Sequence, residues 1–465
     1  MSLKLNNQLA HLPNEVQITR FERHQSCLEL FLSWPKPGDI TCPYCKSHCC
    51  ICKGRSAVKT IYHIPIGANS TFLTFSLQRF RCKDCGKFFT ESPEWLHPSL
   101  RLSFDLFLSI CSSLQSVASI RQISEDLRIP EKTVTAVMNS ITFRRPARLP
   151  RTLCIDEFKG DTGVWDSEHS RFVTSKYHCN ISDGDLGCVI DVLPQIDLAY
   201  LEQYIRQFSF AERSTVKYFC TDMHGGFLSF AKRHFPGVII CVDMFHVVQM
   251  LNENITGIRR FLQNDFRDNA AFAKSRGNLS LSKLYTDQYL LLKGSARILL
   301  TARDNQHEAW KHHFDRNLRR LDEVLSLSPE LKDAYDALQE FHVIIRTSQY
   351  ALKRAMFSSF LDTYCHSEYQ GIRHVAHTFR RNRNYIQNTW KYRRSNAVCE
   401  GLNNRIKILK RNAYGQHSFH NFRQRILFAC GGAHFIKDTC SIASVKKAHA
   451  DKEPVEISHE SKEVQ

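Results

Sequence analysis

The chain has 465 residues, 43% of them hydrophobic, and its 63 Lys and Arg outweigh 46 Asp and Glu to give a net charge of +17. That length suits roughly two to four globular domains, and the charge favours polyanionic partners. With no apolar run of about 18 residues and no signal-peptide pattern at the start, no membrane partner is expected, and a cytoplasmic location is.

Seven of the 18 cysteines fall early, at Cys42, Cys45, Cys49, Cys50, Cys52, Cys82 and Cys85. Clustered cysteines in a long chain of this kind read as metal ligands. Scattered ones in apolar strand-like runs, such as Cys154, Cys220 and Cys241, read as core. Residues up to about 40 alternate in EVQITRFERHQSCLELFLSW, and Ser70 to Phe80 alternate again, so both segments predict strands. Cys42-x-x-Cys45 and Cys82-x-x-Cys85 supply four thiolates for one structural tetrahedral Zn2+, with a β-rich insert of 36 residues between the pairs. The competing readings are four metal-free thiols, or replacement of one ligand by His48, Cys49, Cys50 or Cys52. Residues 1–98 are taken as a zinc-binding N-terminal domain.

Residues 99–145 turn helical. SVASIRQISEDLRIPEKTVTAVMNSI has an apolar helix face, a break at RIP and a second helix opening at Glu131, which fits a helix-turn-helix. Ile120, Ile123 and Leu127 would pack on Val134 and Val137. Arg121, Lys132, Thr133, Thr135, Arg144 and Arg145 are the expected DNA contacts here; an ordinary helical hairpin is the competing reading. RRPARLPR, residues 144–151, reads as a linker.

From 151 to 255 the order is three strands, a helix, a strand, a helix and a strand. Asp156 is expected at the end of the first strand (RTLCIDEFKG) and Asp222 at the end of the fourth (VKYFCTDM). Strand-end acids at one sheet edge can converge on divalent ions, Mg2+ or Mn2+ by their preference for hard oxygen ligands. Singly, each Asp reads more readily as a turn or cap residue at a strand end. Glu157 should face away by strand alternation. Asp243-Met-Phe-His246 follows the fifth strand. Residues 256–389 read as a charged helical insertion, 390–435 as a returning helix, and 436–465 as a polar tail.

Glu400 stands out in that returning helix, SNAVCEGLNNRIKILKRNAYG. Between Glu368 and Asp438 it is the only acid, among 14 Lys and Arg. A carboxylate beside a phosphate backbone is repelled unless a cation lies between them, so this pattern points to a metal-holding acid presented to nucleic acid. A stray acid on a solvated helix is the plain alternative. Arg405, Lys407, Lys410 and Arg411 would contact phosphates.

Taken together, LCIDEFKG, YFCTDMHGGF, VDMFHVVQ and the Glu400 segment resemble the bacterial insertion-sequence transposases of the ISL3 family, within the DDE group. In that last segment Ser395, Asn396, Glu400, Gly401, Asn403, Lys407, Lys410, Ala413 and Gly415 fit the family signature. The resemblance implies a multidomain α/β chain: a zinc domain, a helix-turn-helix, and an RNase H-like core split by a helical insertion. It implies Asp156, Asp222 and Glu400 as a triad holding two Mg2+ (or Mn2+), with Asp243 and His246 in support. The implied activity is Mg-dependent cleavage at the terminal inverted repeats and strand transfer into target DNA. No covalent protein–DNA intermediate is expected, and pairing of two ends calls for a homodimer or larger synaptic complex. A non-catalytic, domesticated DNA-binding regulator and a two-metal nuclease without joining activity are the alternatives.

Overall fold

The first strands are β1 (Gln17–His24), β2 (Cys27–Ser33), β3 (Cys50–Arg55), β4 (Lys59–Ile66), β5 (Asn69–Phe75), β6 (Gln78–Cys82) and β7 (Phe88–Thr90). In β2, for instance, Leu28, Leu30 and Leu32 point inward. They form a four-stranded sheet, β1-β2-β5-β4, and a three-stranded sheet, β3-β6-β7. This computed structural model describes residues 7, 10–35, 38–143, 146, 148–166, 171–302, 314–413 and 418–432. Arg144, Arg145, Gly415 and the tail from 436 lie outside the described residues.

Three helices follow: α1 (Phe104–Ser113), α2 (Ile120–Asp126) and α3 (Glu131–Ser140). Ser103 and Ser119 accept backbone N–H bonds at the starts of α1 and α2, satisfying orphan donors there. The break between α2 and α3 carries Arg128 in the left-handed region (φ 54°), and Pro130 precedes the first turn of α3. Ile123, Val134 and Val137 are buried together, with Ile120 and Leu127 packed against them, as the apolar spacing predicts.

The central sheet has β8 (Thr152–Asp166), β9 (Arg171–Asp183), β10 (Cys188–Leu193), β11 (Tyr218–Thr221) and β12 (Ile239–Val242), in the order β10-β9-β8-β11-β12. β8, β9 and β10 form an antiparallel meander, whereas β11 runs parallel to both β8 and β12. Helices α4 (Leu198–Arg206), α5 (Phe210–Ser214) and α6 (Gly225–His234) fill the crossovers. β11 is buried along its whole length, as expected of a short parallel strand covered on both faces. One expectation is corrected. Asp156 does not end its strand, because β8 continues to Asp166 in a long hairpin with β9; what stops near Asp156 is the pairing with β11, last seen at Cys154–Cys220.

Beyond β12 the described chain is helical: α7 (Met244–Ser275), α8 (Leu279–Lys293), α9 (Ala296–Leu300), α10 (Phe314–Ser326), α11 (Pro329–Arg346), α12 (Tyr350–Tyr364), α13 (Gln370–Arg381) and α14 (Arg383–Tyr392). α14 returns to the sheet edge, where Thr389 Oγ1 accepts from Val242 N at 2.9 Å and Asn388 donates to the Ile240 carbonyl at 3.0 Å. α15 (Ala397–Asn412) and α16 (Phe419–Cys430) then cover the sheet and join α1–α3 in one apolar core, with Phe143 edge-on to Phe428. Buried Arg425 fastens the α1–α2 loop by donating to the carbonyls of Leu114, Ser116 and Ala118.

Candidate functional site

The site grows from a repeated tripeptide. Cys154-Ile-Asp156 lies within β8, while Cys220-Thr-Asp222 and Cys241-Val-Asp243 run off the ends of β11 and β12, and the parallel register sets Cys154 beside Cys220 and Cys220 beside Cys241. Neighbouring strands lie about 4.8 Å apart, so the aspartates two residues on emerge side by side at one end of the sheet. The three cysteines are buried beneath them and packed with Cys399 of α15.

Each aspartate is held differently. Asp156 Oδ1 accepts from the backbone N–H of Glu157 at 2.9 Å, and its Oδ2 accepts from Asn403 Nδ2 at 3.0 Å. Asp222 caps the turn into α6 by accepting from His224 N at 3.1 Å. Asp243 is buried at the N-cap of α7, accepting from Phe245 N at 3.1 Å, and His246 sits in the first turn of that helix. Desolvation raises the Asp156 carboxyl to about 6; the Asp222 and Asp243 charges push the same way, against the Glu157 N–H and His246. Glu157 is exposed.

Glu400 lies in the first turn of α15, half-buried, one residue after Cys399 and one helical turn before Asn403. Its carboxylate makes no hydrogen bond or ion pair among the described residues. The acids remain more open than a closed ligand set. Among the described residues, only the four cysteines bring three or more His, Cys, Asp or Glu ligand atoms within 4.8 Å of one another.

Asn403 is the site residue whose work the sequence did not reveal. It is buried, donates to Asp156 and to the Glu157 carbonyl (3.1 Å), and accepts from Asn180 Nδ2 at 2.9 Å; Ser182 in turn donates to Asn180 at 2.7 Å. This polar chain links α15 to β8 and β9. Of the expected DNA contacts nearby, Arg405 bonds the Gln115 carbonyl and Lys410 bonds Asp161 and the Lys159 carbonyl, while Lys407 and Arg411 are exposed. In the helical hairpin, Lys132 is exposed, Arg121 pairs with Glu125 at 2.9 Å, and Thr133 and Thr135 are half-buried. Thr135 lines a groove between the hairpin and α15–α16.

At the other end of the chain, Cys42, Cys45, Cys82 and Cys85 form a cluster that could bind a metal ion. Two matching turns build it: Lys46 N bonds Cys42 O at 3.0 Å and Gly86 N bonds Cys82 O at 3.1 Å, with Lys46 and Gly86 both at positive φ. The cross pairs Cys42–Cys85 and Cys45–Cys82 stand 3.6 and 3.5 Å apart at sulfur. Tetrahedral Zn–S bonds of about 2.3 Å imply S–S separations near 3.8 Å, so the donor set fits. The Cys85 N–H is the largest influence drawing the Cys82 thiol down to about 6. Cys49, Cys50, Cys52 and His48 fall outside the set, and His48 instead meets Asp39 at 2.9 Å.

Sequence comparison decides the family. The profile of the ISL3 DDE transposases, described as "Transposase", matches residues 153–426, more than half of the chain. The chain belongs to the ISL3 family of DDE transposases. A similar protein is the transposase for insertion sequence element IS1001 of Bordetella parapertussis, 22% identical over 87% of this chain and 92% of that one. A further match, 34% identical over 137 residues, is to a Lactococcus lactis subsp. lactis protein named "ATP-dependent protease"; it spans 28% of this chain and 41% of that protein. The ISL3 match begins at the first strand of the central sheet and ends in α16, so it takes in all three Cys-x-Asp repeats and Glu400. No described helix is long and apolar enough to cross a membrane.

Proposed function

We propose that this transposase binds the terminal inverted repeats of an insertion sequence, cuts the DNA at the element ends and joins them to target DNA, with Asp156, Asp222 and Glu400 as the catalytic acids. The observation that carries the reading is the in-register triple of Cys-x-Asp repeats, which aligns carboxylates at one end of the sheet while the Glu400 helix is tied to Asp156 through Asn403. The order β10-β9-β8-β11-β12, with β8, β11 and β12 parallel, supports an RNase H-like core interrupted by helices between Asp243 and Glu400. The domains then follow the sequence reading: zinc-binding 1–98, helix-turn-helix 99–145, core 151–255 and 390–435, helical insertion 256–389.

The donor set fits hard divalent cations. Asp156 is a half-buried carboxyl raised by burial and two neighbouring acids, an arrangement that a nearby cation relieves. Two Mg2+ or Mn2+ ions bound there would stabilise charge on the attacking and leaving oxygens of an in-line displacement. The chain's own residues orient the ligands: Asn403 fixes Asp156, and the turn into α6 fixes Asp222. Asp243 and His246 add a buried acid and an imidazole beside Asp156. Exposed Lys407 and Arg411, on the same helix as Glu400, hold phosphates by charge-assisted hydrogen bonds. One Zn2+ held by Cys42, Cys45, Cys82 and Cys85 would tie the two turns of the N-terminal sheet together. The test is incubation of the full chain with inverted-repeat duplex and Mg2+. Cleavage and joining are expected. Binding without cutting would leave the regulator reading, and cutting without joining the nuclease reading.

A further inference from the structure

Helix α13 has two unlike faces. Ile372, Val375, Ala376 and Phe379 are buried in the main core, where the Phe379 ring stands 5.3 Å from Phe341. The opposite face carries Arg373, His374, His377, Arg380 and Arg381 at spacings of three and four residues, so they form one stripe. His374, Arg380 and Arg381 are exposed. No acid occurs between Glu368 and Glu400, and none of Arg373, Arg380 and Arg381 forms an ion pair among the described residues. The stripe repels itself. Arg380 turns toward His377 Nδ1 at 2.8 Å, and after burial, Arg380, Arg373, His366 and Arg381 are what depress the His377 pKa. Such crowding of like charge, on a helix anchored by its other face, is relieved by an anion bridging several guanidinium groups.

We propose that this outer face of α13 is a second phosphate-binding surface, taking the backbone of the double-stranded DNA that flanks the catalytic acids. The inference rests on the DNA-processing reading above and adds to it a contact region that neither the hairpin nor α15 supplies. Its place suits the role. Gly371 abuts Asn254 of α7 so closely that a Cβ there would lie 2.2 Å from Asn254 Oδ1. From Asp243 at the start of α7 to Asn254 is about 16 Å of helix at 1.5 Å per residue. A duplex passing the acids covers that distance, to the start of α13, in about five base pairs at 3.4 Å each, and α13 carries the stripe about 14 Å further to Arg380 and Arg381. The stripe offers guanidinium forks rather than a helix end aimed at base edges, so it holds DNA without reading its sequence.

The experiment is salt-dependent binding of the full chain to a random-sequence duplex. Each phosphate contact contributes about 0.9 to the slope of log K against log salt. Arg380→Gln with Arg381→Gln should lower that slope by about 2, while the paired Lys substitutions, which keep the charge, should retain it. Arg276→Gln, at the far end of α7, should leave it unchanged. A wild-type slope in the Gln pair, an equal loss in the Lys pair, or an equal loss in Arg276→Gln overturns the proposal. Asp156→Asn separates this from the catalytic reading: it should keep the wild-type slope while losing cleavage. Normal cutting by Asp156→Asn refutes the triad and leaves the α13 result standing.

Discussion

Replacing Asn403 by Ala is the sharpest perturbation of the link between the Glu400 helix and Asp156. The change deletes the donor to Asp156 Oδ2 and to the Glu157 carbonyl, and it removes the acceptor for Asn180 Nδ2. A hydrogen bond to a charged group contributes about 1.5–3 kcal/mol, and a buried donor left unpaired costs about 1–3 kcal/mol. With Asn403 and Asn180 both buried, the loss should reach about 3–4 kcal/mol. In a catalytic region of this size that corresponds to a fall in melting temperature of roughly 6–12 °C. Because the side chain orients an acid rather than touching DNA, cleavage should drop about 10–100-fold with little change in duplex affinity. Calorimetry and denaturant melts of Asn403→Ala, Asn180→Ala and the double variant form the assay. The coupling energy should lie within about 0.5–3 kcal/mol. Strict additivity, or a loss for Asn403→Ala below about 0.5 kcal/mol, would show that the polar chain does not hold the helix to the sheet.

Other consequences can be measured independently. Gly160 faces the buried ring of His178, which is fixed between Thr162 Oγ1 (2.8 Å) and the Pro194 carbonyl (2.7 Å); a Cβ at 160 would lie 1.8 Å from His178 Cδ2, so Gly160→Ala should cost about 1–3 kcal/mol in denaturant melts. His63 is buried, its Nε2 donating to the Ala10 carbonyl and its Nδ1 facing Ser103 Oγ, each at 2.7 Å. Burial lowers its folded-state pKa, so the folded state binds fewer protons and stability is full above the unfolded value near 6.5 and falls as pH drops below it. Melts of wild type and His63→Gln from pH 8 to pH 5 should show a smaller acid loss in the variant, which keeps other burial-depressed histidines such as His178. Stripping metal with a strong chelator, or Cys82→Ser, should remove zinc measured at one per chain and unfold the sheet turns around residues 42–46 and 82–86, seen as new protease cuts there. Intact protection without zinc would count against a metal at that cluster.

Much of this architecture was legible in the residues, because its signals are local. The paired CxxC motifs, the strand and helix order from 151 to 255, and the break before Glu131 all follow from spacing or periodicity along the chain. β3 gives no sequence signal, since Cys50–Arg55 is largely exposed and polar and shows no clean alternation. The continuation of β8 past Asp156 gives no sequence signal for another reason: Lys159–Gly163 carries no apolar side chain, and its pairing with β9 comes from the fold. The three Cys-x-Asp repeats were visible as text, yet they acquire meaning only from a parallel register between strands far apart in sequence. Asn403 stands in the Glu400 signature, but its role is not legible there, because its partners Asp156, Glu157 and Asn180 are brought to it by the fold. The same holds for Arg405 and Lys410, basic side chains that look free in sequence and are engaged within the protein.

The most direct test of the central claim is Mg2+-dependent cleavage of a duplex bearing the element's terminal repeat, comparing wild type with Asp156→Asn, Asp222→Asn and Glu400→Gln. Each substitution removes a charge while nearly preserving shape, so repeat binding should persist while cutting falls by several orders of magnitude in all three. Wild-type cleavage by any one of them would contradict the assignment of that acid, and wild-type cleavage by all three would contradict the account of the site.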